Sequence, residues 1–312
     1  MYSVIDFGAD GGGKRICTKA FQAAVDACSG GGGTVYIPFG TYLLGTVFLK
    51  SNVHFVFEPG AKILGSKELK EDFAPDEERR DALYQDASHS FFNHSLFVAK
   101  KCENISFSGI GTIDMQNEWE SDDWRRFPAD SLDRRRGAKI FTFVECENIV
   151  LKDMRLINAT DLAVYPVGCK NVRISNLDID SHIDGISPDG CKNVTISNCI
   201  VNTGDDAIVI KSSFALGRKI VCENVSVTGC IISSRCNAIK LGTESNGGYR
   251  NITVTGCTVS DTSLSGIALE VADGGFLDGV TISDITMKNV GNPIFIVLCD
   301  RRRGPDGTGI GR

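Results

Sequence analysis

The chain has 312 residues, 42% of them apolar, and a formal net charge of -6 at pH 7. That length allows one large domain or two ordinary ones. An acidic surface repels phosphate backbones, so nucleic acid is not expected as a partner. No apolar run reaches the ~20 residues that span a bilayer. The first residues show no signal peptide, so a cytoplasmic location is expected, and an extracellular or periplasmic one would require residues ahead of Met1.

Residues 18–28 form the one segment with clear helical periodicity. Thr18 is placed to cap this helix, and Ser29 with the glycines at 30–33 is expected to end it. Farther along, two charged insertions occupy about 67–95 and 115–137. Insertions of that length usually wall a binding groove, and Trp119 and Trp124 in the second one are candidate platforms for sugar rings.

A short phrase recurs from residue 102 onward: Cys, then Glu or Lys, then Asn, then Ile or Val. Copies or degenerate copies begin at Cys102, Cys146, Cys169, Cys191, Cys222, Tyr249 and Leu277. Each leads into alternating β-branched residues, the pattern of a strand with one buried face. From Cys146 onward the copies are spaced 22–31 residues apart with no helix between them, which predicts a solenoid. We therefore predict an all-β, single-stranded right-handed parallel β-helix over residues 1–312, with the helix at 18–28 capping its N-terminal end.

The cysteine pattern is consistent with that fold. Twelve cysteines without a secretion signal argue against a disulfide framework, and the chain has no CxxC pair of the kind that binds zinc. The recurring cysteine is expected to form a reduced, inward-facing stack of small side chains. No metal and no cofactor are expected. Because no capping element follows residue 298, we expect the β-helix to be incomplete at its C-terminus.

Equal offsets within the repeats predict a column of polar side chains. Fifteen residues after the first position of four successive copies stand Asp161, Asp184, Asp206 and Asn237, and Asp205 precedes Asp206. Stacked coils lie ~4.8 Å apart, so equal offsets should be vertical neighbours. Three carboxylates this close cannot all ionise cheaply, and at least one pKa should rise. A raised carboxyl beside ionised ones suits glycoside hydrolysis, with a calcium site or a polar turn ladder as the alternatives.

These residues resemble glycoside hydrolase family 28, the polygalacturonase family of pectin-degrading enzymes. His182-Ile183-Asp184-Gly185 is similar to the family's Asn-Thr-Asp-Gly, and Gly204-Asp205-Asp206 is similar to its Gly-Asp-Asp. The resemblance implies inverting, metal-independent hydrolysis of O-glycosidic bonds in a pectin-like polysaccharide or its oligosaccharides. It also implies that Asp205 is the general acid and that Asp184 and Asp206 hold and deprotonate the attacking water.

Two departures from the family pattern concern the substrate. Asn237 stands where the family has the His of Gly-His-Gly. Ala268-Leu269-Glu270 stands where the family has Arg-Ile-Lys, the motif that grips a uronate carboxylate. Because glutamate repels a uronate, polygalacturonan is not expected to be the preferred substrate.

Residues beside the acids are candidate ligands for sugar hydroxyls. Asp189, Lys211 and Glu270 fall on a second aligned column beside the acids. The full set of substrate-binding candidates is Asn237, Lys211, Asp189, Glu270, Glu244, His182, Tyr165 and Asp161. The alternative for Lys211 is a structural ion pair with Glu270 or Asp189, and the alternative for Tyr165 is a place in the core. The run Arg301-Arg302-Arg303 is interpreted as a solvated turn.

Two other functions fit the same fold. A polysaccharide lyase or uronate epimerase needs a basic proton abstractor and usually calcium, and the predicted column offers only Lys211 as a base. A non-catalytic carbohydrate-binding or structural β-helix would need the acids only as turn residues. In each enzymatic case the expected partner is a polysaccharide or oligosaccharide, and the oligomeric state is left open.

Overall fold

A computed structural model describes residues 1–76, 87–116, 137–302 and 309–312. Most of these residues form strands, and most of the strands are short. Their sequences alternate between buried and more exposed side chains, as in Val53–Phe57, where every second side chain is buried. The strands, in chain order, are β1 (Tyr2–Ser3), β2 (Gly12–Ile16), β3 (Gly33–Ile37), β4 (Gly40–Leu44), β5 (Val47–Phe48), β6 (Val53–Phe57), β7 (Ala61–Gly65), β8 (Ser95–Lys100), β9 (Glu103–Ser108), β10 (Thr112–Asp114), β11 (Lys139–Val144), β12 (Glu147–Lys152), β13 (Arg155–Ala159), β14 (Val164–Val167), β15 (Lys170–Ser175), β16 (Asp178–Ser181), β17 (Lys192–Ser197), β18 (Ile200–Thr203), β19 (Ile208–Ile210), β20 (Cys222–Thr228), β21 (Ile231–Ser234), β22 (Asn237–Leu241), β23 (Tyr249–Thr255), β24 (Thr258–Val271), β25 (Leu277–Ser283) and β26 (Thr286–Leu298).

The strands stack in parallel into three faces of one solenoid, which confirms the predicted parallel β-helix. The first face is a sheet of ten strands in the order β1-β3-β6-β9-β12-β15-β17-β20-β23-β25. The second face contains β2, β4, β7, β10, β13, β16, β18 and β21, and the third contains β5, β8, β11, β14, β19 and β22. The long strands β24 and β26 run across the second and third faces. Single bridges from Val164 to Ile186 and from Ile186 to Ile208 join the third face between β14 and β19.

The interior is a stack of like side chains, because each coil repeats the pattern of the coil below. The rings of Phe55 and Phe107 lie parallel, with centroids 4.2 Å apart. The recurring cysteines are free thiols turned toward the core, as predicted. The thiols of Cys102, Cys146, Cys169 and Cys191 donate to backbone carbonyls, for example Cys191 Sγ to Pro166 O at 3.2 Å. A second column, Cys199, Cys230 and Cys257, follows the next turn and was not predicted.

The asparagine of the repeat phrase forms a ladder along the edge of the first face. Each side-chain amide donates to the side-chain oxygen of the asparagine one coil earlier, at 2.8–3.1 Å. All members have positive φ, from 54° to 63°, a conformation that asparagine tolerates better than most residues. The ladder consists of Asn52, Asn104, Asn148, Asn171, Asn193, Asn224 and Asn251.

The two ends of the solenoid differ. At the N-terminal end, α1 (Thr18–Ser29) covers the first coils and buries Phe21 and Val25 completely, so the predicted capping helix is confirmed. Thr18 does not cap it; its hydroxyl accepts a hydrogen bond from Gly45 N at 2.8 Å. At the other end, Ile294 and Ile296 of β26 are more than half exposed. The expectation of an incomplete C-terminus stays a prediction.

The remaining helices are short. They are a 3-10 turn at Val4–Phe7, α2 (Leu69–Asp72) and α3 (Ala87–Ser90). Within the described ranges no helix combines the length and apolar character needed to cross a bilayer. Most of the second predicted insertion, with Trp119 and Trp124, lies outside the described residues, as do 77–86 of the first.

Replacing one rung of the ladder should destabilise the fold measurably. Asn193 makes two ladder hydrogen bonds at 2.9 and 3.0 Å and has φ of 59°. We expect Asn193→Ala to lower the free energy of unfolding by about 1–3 kcal/mol, through lost hydrogen bonds and a strained φ. Asn193→Gly should cost less, because glycine adopts positive φ freely. Denaturant unfolding of both variants tests this, and equal effects would show that φ contributes nothing.

Candidate active site

The side chains predicted to stack do so on three successive coils. Gly185 N donates to Asp206 O at 3.1 Å, and Ala207 N donates to Asn237 O at 2.9 Å. These bonds place Asp184, Asp206 and Asn237 one above another at the corner before the third face. The column that the repeat offsets predicted is therefore present for these three residues.

Asp161 does not belong to this column, and its predicted place there is wrong. Before it, Ile157 pairs with Asp180 but Ala159 pairs with Ser181, so a bulge at Asn158 adds one residue to this coil. Leu162 therefore stands below Asp184. The Asp161 carboxylate is buried 3.4 Å from Lys139 Nζ, which makes it part of a structural ion pair rather than a sugar ligand.

Asp206 is held by two donors. Asn237 Nδ2 donates to its Oδ1 at 2.7 Å, and Lys240 Nζ lies 2.9 Å from its Oδ2. The residue is only 3% exposed. An ammonium and an amide on separate oxygens fix the direction of this buried carboxyl group and replace the water contacts that it has lost.

Asp184 has a different environment. It is 4% exposed, and Lys211 Nζ lies 3.3 Å from its Oδ2. Burial raises the pKa of Asp184 to about 7, with Lys211 opposing the shift and the nearby charges of Asp205 and Asp206 adding to it. This carboxyl group thus exchanges its proton near neutral pH.

Asp205 is the most exposed of the three acids. Its backbone carbonyl accepts hydrogen bonds at 2.6 Å from the hydroxyls of Thr203 and Ser234, which fixes the bend that turns it outward. Burial of the carboxyl group, followed by the charge of Asp206, raises the pKa of Asp205. A partly exposed carboxyl group with a raised pKa is suited to protonating a leaving group.

Among the residues that the structure describes, the donor set around Asp205 does not fit the calcium alternative. Carboxylate oxygens of Asp205 and Asp206 lie within 4.8 Å of each other and of Cys236 Sγ. Calcium takes six to eight oxygen ligands, and a thiol is a poor substitute for one of them.

Gly204 permits the bend for a reason that the sequence did not show. Its φ is not positive, so conformational freedom is not what it supplies. A Cβ at this position would lie well inside van der Waals contact of the His182 carbonyl oxygen. The absence of a side chain therefore lets one coil approach the next directly beside Asp205.

A chain of buried charges runs behind Asp184. Lys211 Nζ lies 3.1 Å from Glu244, and Arg301 reaches Glu244 at 3.2 Å and also binds Asp273. Burial alone would raise the pKa of Glu244, but Lys211, followed by His89 and Arg301, holds it well below its usual range. The predicted partners of Lys211, Glu270 and Asp189, are wrong, and Arg301 does not lie in a solvated turn.

Two other candidates are covered by neighbouring segments outside the core and are not available to a sugar. Asp189 is 1% exposed and accepts from Ser213 N at 2.7 Å and from the Tyr165 hydroxyl at 3.0 Å. Tyr165 is fully buried and packs near His89, so a stacking role for it is wrong. His182 is half-buried beside the acids, where burial lowers its pKa.

Lys240 is the main site residue that sequence reasoning missed. It extends from β22 to Asp206 and also lies 3.6 Å from the Glu270 carboxylate. Its signal was the alternation around it, since Ile239 and Leu241 face the core and so direct Lys240 outward. Arg301 had no local signal, because its partner Glu244 lies 57 residues away.

The close approach of Gly204 to the His182 carbonyl can be tested by substitution. Gly204→Ala should push the coil away from the His182 carbonyl and displace Asp205, since the obstacle is backbone and cannot rotate aside. We expect turnover to fall at least about tenfold, given the sensitivity of catalysis to ~1 Å misplacements. The matched control is Gly30→Ala, at an open position with φ of -65°. Unchanged activity of Gly204→Ala would contradict this account.

Comparisons with known proteins agree with this geometry. The chain is 28% identical to a probable polygalacturonase of Vitis vinifera, over 92% of this chain and 61% of that protein. It is 31% identical to Polygalacturonase QRT2 of Arabidopsis thaliana, over 96% of this chain and 66% of that protein. The chain thus spans less than two thirds of the length of these relatives.

A solved structure shares the fold. The exopolygalacturonase of Thermotoga maritima superposes with a TM-score of 0.80 at 24% identity, covering 99% of this chain and 77% of that one. A family model described as glycosyl hydrolases family 28 matches residues 35–301, most of the chain. From the repeat, the acid column and this match, we conclude that the chain belongs to glycoside hydrolase family 28.

Proposed function

We propose that this protein hydrolyses O-glycosidic bonds of a pectin-like polysaccharide or its oligosaccharides by inversion, without a metal. One observation carries the proposal: three neighbouring carboxyl groups, Asp184, Asp205 and Asp206, sit in three different electrostatic environments. Acid and base catalysis at one site requires such a separation of roles. The family match and the relatives named polygalacturonases support the substrate class.

The environments assign the roles. Asp205 is the most exposed of the three and its pKa is raised, so it protonates the leaving oxygen. The pKa of Asp184 is raised as well, but its carboxyl group is buried behind Asp205 and cannot reach the leaving group as easily. Asp206 is held in position by Lys240 and Asn237, and with Asp184 it orients the attacking water and takes its proton. Both oxygens of Asp206 are already engaged, which disfavours attack on the sugar by Asp206 itself and favours direct displacement by water.

Turnover of pectic oligosaccharides with and without uronate, followed by NMR of the newly formed anomer, tests the proposal. We expect hydrolysis that a chelator does not reduce and a product of inverted configuration. Asp205→Asn should lower kcat by about 10²–10⁴-fold, the usual contribution of a general acid. Asp6→Asn, an exposed aspartate at the opposite end of the chain, is the control. Unsaturated products, or full activity of Asp205→Asn, would overturn the assignment.

The Lys211–Asp184 contact predicts a pH shift. Asp184 must be ionised to act as base, so kcat/KM should fall as pH drops below about 7, where this carboxyl gains its proton. The Lys211 ammonium stabilises the ionised form of Asp184, so Lys211→Gln should raise the pKa of Asp184 further. The acidic limb of the kcat/KM–pH profile should then move to higher pH. Lys211→Arg keeps the charge and should keep the limb near its original position. A limb that stays in place or moves to lower pH in Lys211→Gln would contradict this role.

A further inference from the structure

The charged residues of the site divide into a buried group and an open group. The Asp184, Lys211 and Glu244 side chains are at most 5% exposed and satisfy one another. Lys240 and Glu270, at 12% and 13%, remain reachable from solvent, as does Asp205. Among the residues that the structure describes here, a sugar that approaches Asp205 therefore meets Lys240 and Glu270 first.

The positive charge of Lys240 is already compensated. Its ammonium lies 2.9 Å from Asp206 on one side and 3.6 Å from Glu270 on the other. Strand register fixes this arrangement: Lys240 of β22 pairs with Ala268 of β24, and Glu270 follows two residues later on the same strand. Lys240 and Glu270 are also packed closely enough that neither can turn away without losing its partner.

This arrangement discriminates by charge. A sugar carboxylate placed beside Lys240 would also lie beside Glu270 and Asp206, and it would have to draw Lys240 away from both. An uncharged sugar meets no such repulsion, and its hydroxyls can donate to the carboxylates and accept from the ammonium. The solvent-accessible side of the site, formed by Asp205, Lys240 and Glu270, therefore favours the binding of hydroxyl groups.

We propose that Glu270, through its pairing with Lys240, makes this side of the site select an uncharged sugar over a uronate next to the bond that is cleaved. The inference rests on the proposed function, whose site it specifies further. Glu270 acts here as a specificity-determining residue. By pairing with Lys240, it neutralises the positive charge that would otherwise attract a sugar carboxylate.

Oligogalacturonate and its fully methyl-esterified form are the probes, because they share the linkage and differ in charge and by one methyl group on each unit. We expect wild-type kcat/KM for the ester to exceed that for the acid by at least about tenfold, which is about 1.4 kcal/mol of discrimination. Glu270→Gln, nearly isosteric, should reduce this ratio about fivefold, by improving turnover of the acid rather than by impairing that of the ester.

Glu103→Gln is the matched control, since it removes the same charge from an exposed position on the first face. It should leave the ratio unchanged. Equal or better wild-type turnover of the acid, or a Glu270→Gln ratio equal to that of the wild type, overturns the proposal.

A binding measurement separates this inference from the hydrolytic function. Calorimetry with the Asp205→Asn variant should show tighter binding of the ester than of the acid, without requiring turnover. If neither probe is hydrolysed but the ester still binds more tightly, the proposed hydrolysis of this linkage fails and the selectivity stands. Tighter binding of the acid, or no binding of either probe, overturns the selectivity.

Discussion

Parallel pairing of each coil with the coil below it controls where every functional side chain lies. Main-chain hydrogen bonds leave neighbouring coils one strand spacing apart, ~4.8 Å, so a residue type repeated at one offset becomes a continuous column. The cysteine stack and the asparagine ladder are two results of this constraint, and the acid column is a third. One extra residue in a coil changes the offset at which the rest of that coil aligns with its neighbour, as the bulge at Asn158 does for Asp161.

The same constraint concentrates like charge, which the protein must offset. Asp184 and Asp206 are almost fully buried, and burial of a carboxylate is unfavourable unless cations or donors compensate for the lost water. Lys211 and Lys240 supply this compensation from the third face. Glu244 and Arg301 extend the pattern away from the site, so the cations are themselves held in place. Chemically identical side chains thereby acquire different electrostatic environments.

Sequence patterns revealed the fold and the centre of the site because both depend on periodicity. The Cys-x-Asn phrase marked each coil, and alternation marked each strand. Counting from that phrase brought Asp184, Asp206 and Asn237 together correctly over distances of 22 and 31 residues. Counting failed at Asp161, because nothing in the sequence near Asn158 announces an inserted residue. It also misjudged Tyr165 and Asp189, since equal spacing shows alignment but not which segments cover a side chain.

The sequence by itself determined the solenoid, its inward-facing thiols and the identity of the three acids that meet at one corner. These follow from local repetition, which a linear chain records directly. Only the tertiary structure decided which charge faces which: that Lys211 serves Asp184, that Lys240 is shared between Asp206 and Glu270, and that Arg301 supports Glu244. Such pairings join residues up to 57 positions apart and depend on side-chain reach and burial, neither of which is encoded in spacing along the chain.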